Sequence, residues 1–284
     1  MGFEPAMNIL ITGTSTGIGN WLALHLGKGG HEIWGVSRRP QTDFQRVCAG
    51  LGLAFRASQC DVSDWPRVAA LREELGCAWP HLDALICCAA VQAPVGPAMS
   101  LDPQAWSRNL RLSLDGAFYS IRAFHDLLSR APRRAKIVCF SGGGASGPRG
   151  NFSAYACAKT AVVRLVETLA VEWTGSAIDI NAIAPGGINT AMTDEILALG
   201  PELAGQKEYD QARLQKTSGG APIEKVGGLM DFLLSPDSDG ISGKLISAQW
   251  DPWPAFPGYR DRLLGSDIYN LRRILPQDRG QNWG

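Results

Sequence analysis

Tyr155 and Lys159 stand four residues apart in a stretch, 153–174, that reads as a helix. On a helix that spacing puts both side chains on one face, one turn apart. An ammonium close to a phenol favours the phenolate, and the free phenol titrates at about 10. A tyrosine tuned in this way can give a proton to an oxygen that is gaining electron density, or take it back in the reverse direction. A Tyr–Lys pair at this spacing is also commonplace on helix surfaces, so it needs a setting before it implies chemistry.

A second constellation supplies one. Thr12-Gly13-Thr14-Ser15-Thr16-Gly17-Ile18-Gly19 follows an apolar run and opens an amphipathic stretch. A strand, a Gly-rich turn and a helix N-terminus together form a phosphate cradle. Backbone N–H groups point outward, the helix dipole favours an anion, and the missing side chains let a pyrophosphate approach. Gly13, Thr14, Ser15, Thr16, Gly17, Ile18 and Gly19 are the expected contacts, although a plain strand-to-helix reversal would use a similar turn. The next apolar run ends Gly35-Val36-Ser37-Arg38-Arg39, with no acid. In dinucleotide folds an acid here binds the ribose 2′-hydroxyl, whereas Arg accommodates a 2′-phosphate. Ser37 and Arg38 are therefore candidates for the phosphate of NADP. NAD remains possible, and a solvated Arg pair is the plain alternative.

The elements that must position these residues follow from periodicity. Short, nearly continuous apolar runs at 8–12, 32–36, 54–60, 83–88, 136–141, 177–184 and 244–248 read as strands buried on both faces. Between them, 18–28, 65–76, 103–129, 153–174 and 223–234 read as helices. The alternation predicts an α/β fold, a single doubly wound parallel sheet with helices on both faces. One Rossmann-type domain is expected over 1–284, with its core at 8–248. Two regions break the rhythm: 189–222, rich in charge and Gly, and the tail 249–284.

Together the turn, Tyr155-x-x-x-Lys159 and Asn181–Thr190 (NAIAPGGINT) resemble the short-chain dehydrogenase/reductase family over about 8–248. The resemblance implies hydride transfer between a nicotinamide cofactor, NADP or NAD, and a small carbonyl or alcohol substrate. Tyr155 would be the acid or base, and Lys159 would tune it and hold the nicotinamide ribose. Asp61 and Val62 would contact adenine, although Asp61 or Ser63 could equally cap the next helix. Ala89 and Ala90 would line the cofactor; Pro185, Gly186, Ile188 and Thr190 would shape the nicotinamide site. Residues 191–215 would form a helical lid, its charges mostly a solvated face. The family also implies a homodimer or homotetramer.

The sequence departs from the family at four places. The family's catalytic serine stands thirteen positions before the tyrosine, which here is Gly142. Ser141, one step early, is the expected substitute, with Ser146 in reserve. The Asn-Asn-Ala-Gly that ends the fourth strand becomes Cys87-Cys88-Ala89-Ala90. The Asn that helps hold a relay water becomes Ser113, with Asn109 one turn away. The closing Asp-Gly-Gly is lost, and a tail with Trp250, Trp253 and Trp283 follows. Its Trp and Arg residues suit sugar rings and phosphates, or packing and a subunit interface. Residues 141–145 with this tail resemble a bacterial branch linked to surface glycans. A nucleotide-sugar or glycan-precursor reductase or epimerase is therefore one alternative reading, and a dinucleotide-binding protein without turnover is another.

Composition bounds the rest. Of 284 residues, 27 Lys and Arg balance 27 Asp and Glu, which excludes a global basic field though not a local basic patch, and no nucleic-acid partner is expected. Seven Cys, an odd number without C-x-x-C spacing, fit a reducing compartment. His25, His31, His81 and His125 are scattered, and no metal is expected. The first strand begins near Asn8 and no apolar run reaches membrane length, so a cytoplasmic protein without a membrane partner is expected.

Overall fold

The computed structural model describes residues 5–283. Seven parallel strands form one sheet: β1 Asn8–Thr12, β2 Glu32–Ser37, β3 Phe55–Gln59, β4 Ala84–Cys87, β5 Ala135–Phe140, β6 Ile178–Ala184 and β7 Leu245–Ser247. Their order is β3-β2-β1-β4-β5-β6-β7, so the winding reverses between β1 and β4. Ligand crevices of open parallel sheets lie outside the strand C-termini at such a point. Alternation along β1 shows why both faces are covered. Ile9 and Ile11 join one cluster with Leu22, Leu26 and Leu229; Leu10 joins another with Leu71, Phe124 and Val163.

The helices are α1 Gly17–Lys28, α2 Thr42–Gly50, α3 Trp65–Ala78, α4 Pro103–Leu110, α5 Gly116–Leu128, α6 Ser153–Glu172, α7 Ala191–Ala204, α8 Gln206–Ser218, α9 Glu224–Leu234 and the short α10 Arg260–Leu263. Four findings differ from the sequence reading. First, α2 was not expected; it is nine residues long and buries only Cys48, so it carries almost no apolar stripe. Second, 103–129 is not one regular helix: a π turn, Arg111–Asp115, separates α4 from α5. Third, the lid is two helices. Gly205, at φ 85, lies between α7 and α8, and Gly200, at φ 73, kinks α7 ahead of Pro201. Fourth, neither Asp61 nor Ser63 caps α3. Asp64 does, accepting from the Arg67 N–H.

The tail folds back on its own body. Trp253 packs against Phe232 of α9, and its indole donates to the Ala248 carbonyl. The Leu245 N–H donates to the Tyr269 carbonyl, so tail backbone covers the free edge of β7. Glu167 of α6 accepts from the Leu271 N–H, and Lys244 donates to Ser266 and Asn270. Trp250 and Trp283 stay exposed. Among the described residues no helix is long and apolar enough to cross a membrane, and all seven cysteines are free thiols.

Candidate active site

The site is built along the C-terminal edge of the sheet. The chain leaves β1 at Gly13, whose N–H donates to the Val36 carbonyl of β2. Thr12 accepts from the N–H groups of Cys88 and Ala89, which ties the end of β1 to the end of β4. A side chain at Gly13 would fall 2.8 Å from the Ala89 backbone, and one at Gly19 would fall 2.5 Å from the Gly13 carbonyl. The turn therefore closes this tightly only with glycine at both positions. Thr14 is fully buried and donates to Gln41, so its side chain braces the turn. Ser15 is partly exposed, Thr16 and Gly17 are exposed, and Ile18 packs back on the core.

The opening of α1 fits a phosphate on two observations. Thr16 makes no side-chain cap, and the first turn carries no acid. Its leading N–H groups therefore meet no carboxylate or hydroxyl cap, only the Cys88 thiol lying against the Gly19 N–H, and the dipole there favours an anion. Thr190 stands across from it, its methyl carbon 3.7 Å from where a Gly17 Cβ would lie. Thr190 begins α7 in a reciprocal capping pair with Thr193. Pro185 and Ile188 are buried; Gly186 lies against Gln249, which donates to the carbonyls of Pro185 and Pro222.

At the end of β2, the Ser37 hydroxyl donates to the Arg39 carbonyl, while the Arg38 side chain is exposed. Burial opposes ionisation of Asp61, but the Ser63 hydroxyl and N–H and the Arg38 charge hold its carboxyl below the ordinary range. Val62 is buried beneath, against Gly116. Ala89 and Ala90 are half-buried beside the turn.

Tyr155 and Lys159 lie on the inner face of α6, 8% and 3% exposed. The expectation that the ammonium pulls the phenol down is not what the charges do. Lys159 turns its Nζ to the Phe140 carbonyl at the end of β5, at 2.7 Å. Desolvation lowers its pKa to about 8. Burial pushes the Tyr155 phenol up, and the charge that opposes this is the guanidinium of Arg149. Tyr155 belongs to one buried cluster with Val95, Phe152, Ile196, Ala204 and Ala212, so both lid helices pack into the same cluster as the tyrosine.

Position 142, where the family places its serine, faces the Tyr155 hydroxyl. A Cβ there would lie 2.5 Å from the Tyr155 oxygen, so only glycine fits with Tyr155 in this pose. The Ser141 hydroxyl is buried, and its recorded partner is the Lys159 carbonyl at 3.5 Å, the outer limit of a hydrogen bond. Ser146 is exposed. The π turn buries Ser113 with its hydroxyl unpartnered among the protein groups. Asn109 is engaged elsewhere, donating to the carbonyls of Val91 and Ala93.

Sequence reading missed Arg149 and took Glu208 as part of a solvated lid face. The two form an ion pair at 2.8 Å, with side chains 16% and 22% exposed. They stand 59 positions apart in the chain, beyond the reach of any local pattern.

Comparison with known proteins gives the family. The profile of the family described as enoyl-(acyl carrier protein) reductase matches residues 13–249. The 2-dehydro-3-deoxy-D-gluconate 5-dehydrogenase of Pseudoalteromonas atlantica is 30% identical over 195 residues, 66% of this chain and 74% of that protein. Human dehydrogenase/reductase SDR family member 4 is 28% identical over 252 residues, covering 86% of this chain and 87% of its own. The structure of a gluconate 5-dehydrogenase from Burkholderia cenocepacia J2315, in complex with NADP and tartrate, shares the fold. Its TM-score is 0.76 at 24% identity, over 86% of this chain and 94% of that one. A profile match running from the glycine turn to the end of β7 shows that the chain belongs to the short-chain dehydrogenase/reductase family of NAD(P)-dependent oxidoreductases acting on alcohol and carbonyl groups.

Proposed function

We propose that the protein is an NADP(H)-preferring carbonyl reductase with Tyr155 as its proton donor. One observation carries this reading: the Tyr155 hydroxyl is held at the uncovered backbone of Gly142, with Lys159 one turn along the same buried face. A bound nicotinamide supplies the hydride that adds to the carbonyl carbon. The Tyr155 O–H bond breaks as its proton passes to the carbonyl oxygen, leaving a phenolate. Burial keeps the phenol protonated in the resting site. The Arg149 guanidinium, already the charge that opposes the upward shift, then stabilises the negative charge left behind, joined by the Lys159 ammonium 5.7 Å from the ring centroid. The Gly13–Gly19 turn would hold the pyrophosphate, and Lys159 the ribose.

The preference for NADP rests on Arg38, exposed at the end of β2, and on the lack of an acid there. The NADP bound in the Burkholderia structure is consistent with it. Loss of NADPH absorbance over a panel of ketones and oxo acids tests the reading. NADPH is expected to exceed NADH in kcat/KM by about tenfold or more, and Arg38→Ala to remove most of that margin. Cofactor retained tightly with no net NADPH consumption would instead indicate an epimerase.

The serine role is tested as a series. We assign the contact to the substrate oxygen to Ser141, whose hydroxyl is only weakly held by Lys159. Ser141→Ala is expected to lower kcat about tenfold, whereas Ser146→Ala stays within about twofold. Gly142→Ser restores the family residue yet is expected to lose at least about tenfold, because its Cβ displaces the Tyr155 hydroxyl. Equal activity of Ser141→Ala and the wild type would remove Ser141 from the mechanism.

A further inference from the structure

We propose that Arg149 recognises an anionic group on the substrate, a carboxylate or a phosphate, and that Glu208 occupies that place until the substrate displaces it. This rests on the reading of Tyr155 as the proton donor and names the substrate class of the same site. Arg149 lies in the loop between β5 and α6. Its stem runs beside Gly143 and Gly144, 3.9 and 3.3 Å from where their Cβ atoms would lie. The guanidinium carbon is 3.7 Å from the centroid of the Phe152 ring and 5.5 Å from that of Tyr155. A fixed positive charge thus stands beside the proton donor, away from the glycine turn that suits the cofactor phosphates.

The guanidinium is stacked but sparsely bonded. Its flat face covers Phe152, which leaves the in-plane N–H edge for ligands. One hydrogen bond is recorded, from a terminal nitrogen to a single Glu208 oxygen. A guanidinium offers a fork that suits both oxygens of a carboxylate or two of a phosphate, so this pairing uses a fraction of its capacity.

Glu208 belongs to the part of the chain that must move. Ala212 of its helix, with Ile196 and Ala204 of α7, shares a buried cluster with Tyr155, which is only 8% exposed. In the proposal, the substrate gains the buried Tyr155 hydroxyl as these helices part from the 141–152 loop. Parting withdraws the carboxylate that neutralises Arg149. When the site closes again over a substrate, a desolvated guanidinium demands a replacement anion, and a substrate carboxylate or phosphate provides it. Asn151, which donates to the Leu203 carbonyl, links the same loop to the lid without charge. Closure as such therefore does not depend on the ion pair alone.

The test uses the full chain with NADPH and two matched pairs of probes: 4-oxocyclohexanecarboxylate against its carboxamide, and dihydroxyacetone phosphate against dihydroxyacetone. The charged member of one pair is expected to exceed its neutral partner in kcat/KM by about tenfold or more, and which pair shows this separates carboxylate from phosphate. Arg149→Met is expected to bring that ratio to about one, and Arg149→Lys to retain part of it. Glu208→Gln is expected to raise the ratio at least about threefold, because the competing anion is gone. A simple latch between loop and lid predicts the opposite, with Glu208→Gln leaving the ratio unchanged. Calorimetric titration of the NADP-loaded protein with cyclohexanecarboxylate and with inorganic phosphate reads the site without turnover. Either anion should bind the wild type at least about tenfold more tightly than Arg149→Met. Equal ratios in wild type and Arg149→Met, or equal anion binding in wild type and Arg149→Met, overturns the proposal. Failure to bind NADPH or to reduce any carbonyl overturns the reductase reading instead, and the same titration, run on the cofactor-free protein where NADPH does not bind, still decides for Arg149.

Discussion

Tyr155→Phe is expected to lower kcat about a thousandfold while leaving NADPH affinity within about threefold. The substitution is clean for structural reasons. The ring stays packed among Val95, Phe152, Ile196, Ala204 and Ala212, and only the hydroxyl is removed. No hydrogen bond from another protein group to that hydroxyl is recorded, so no buried partner is orphaned, and the melting temperature is expected to hold within about 2 °C. Hydride transfer to a carbonyl without a matched proton donor leaves an alkoxide in a site whose hydroxyl-bearing neighbour, Ser141, points to the Lys159 carbonyl. The rate loss therefore falls on kcat. Single-turnover rates with NADPH and a ketone substrate measure it. Residual kcat above about a tenth of wild type would remove Tyr155 as the acid.

The parts of this site that were legible in the sequence are those whose geometry is local. A four-residue spacing on a helix places Tyr155 and Lys159 together whatever else the chain does. A glycine turn between an apolar strand and a helix forms the same cradle in any parallel sheet. A parallel sheet covered by helices on both faces then follows from the alternation, whereas the order β3-β2-β1-β4-β5-β6-β7 came from the structure. Less was legible where the cause is tertiary or a matter of backbone hydrogen bonding. The π turn at Arg111–Asp115 leaves the side-chain pattern of 103–129 helical while changing which carbonyls are paired. Helix α2 has too few buried residues to print a stripe. The direction of the Tyr155 shift depended on Lys159 finding the Phe140 carbonyl, and on Arg149 arriving from a glycine-rich loop. The Trp-rich tail was legible as a departure, but not as a cover for the free edge of β7.

Lys159→Met separates what the site needs for chemistry from what the fold needs for stability. Lys159 is 3% exposed, and burial brings its pKa from 10.5 to about 8. The sign follows from linkage. Below pH 8 the folded and unfolded chains both carry the proton, and the penalty for burying the charge is constant. Between about 8 and 10.5 the unfolded chain binds more protons, so stability rises with pH; above that range the penalty is gone. At pH 7 the penalty is about 3 kcal/mol, from about 1.4 kcal/mol per unit. Met fills a similar volume without charge but leaves the Phe140 carbonyl without its ammonium, which costs about 1 kcal/mol. A net gain of about 2 kcal/mol, or about 5 °C in Tm, is expected at pH 7. It should shrink towards zero, or reverse slightly, by pH 10.5. The same variant is expected to lose at least about a hundredfold in kcat, because the phenolate then forms without its ammonium. Thermal denaturation at pH 7 and pH 10.5, beside kcat at pH 7, checks both halves. A variant less stable than wild type at pH 7 would mean that the bond to Phe140 outweighs the burial of the charge. Greater stability with lost turnover would show that the fold bears a buried ammonium because the chemistry at Tyr155 requires one.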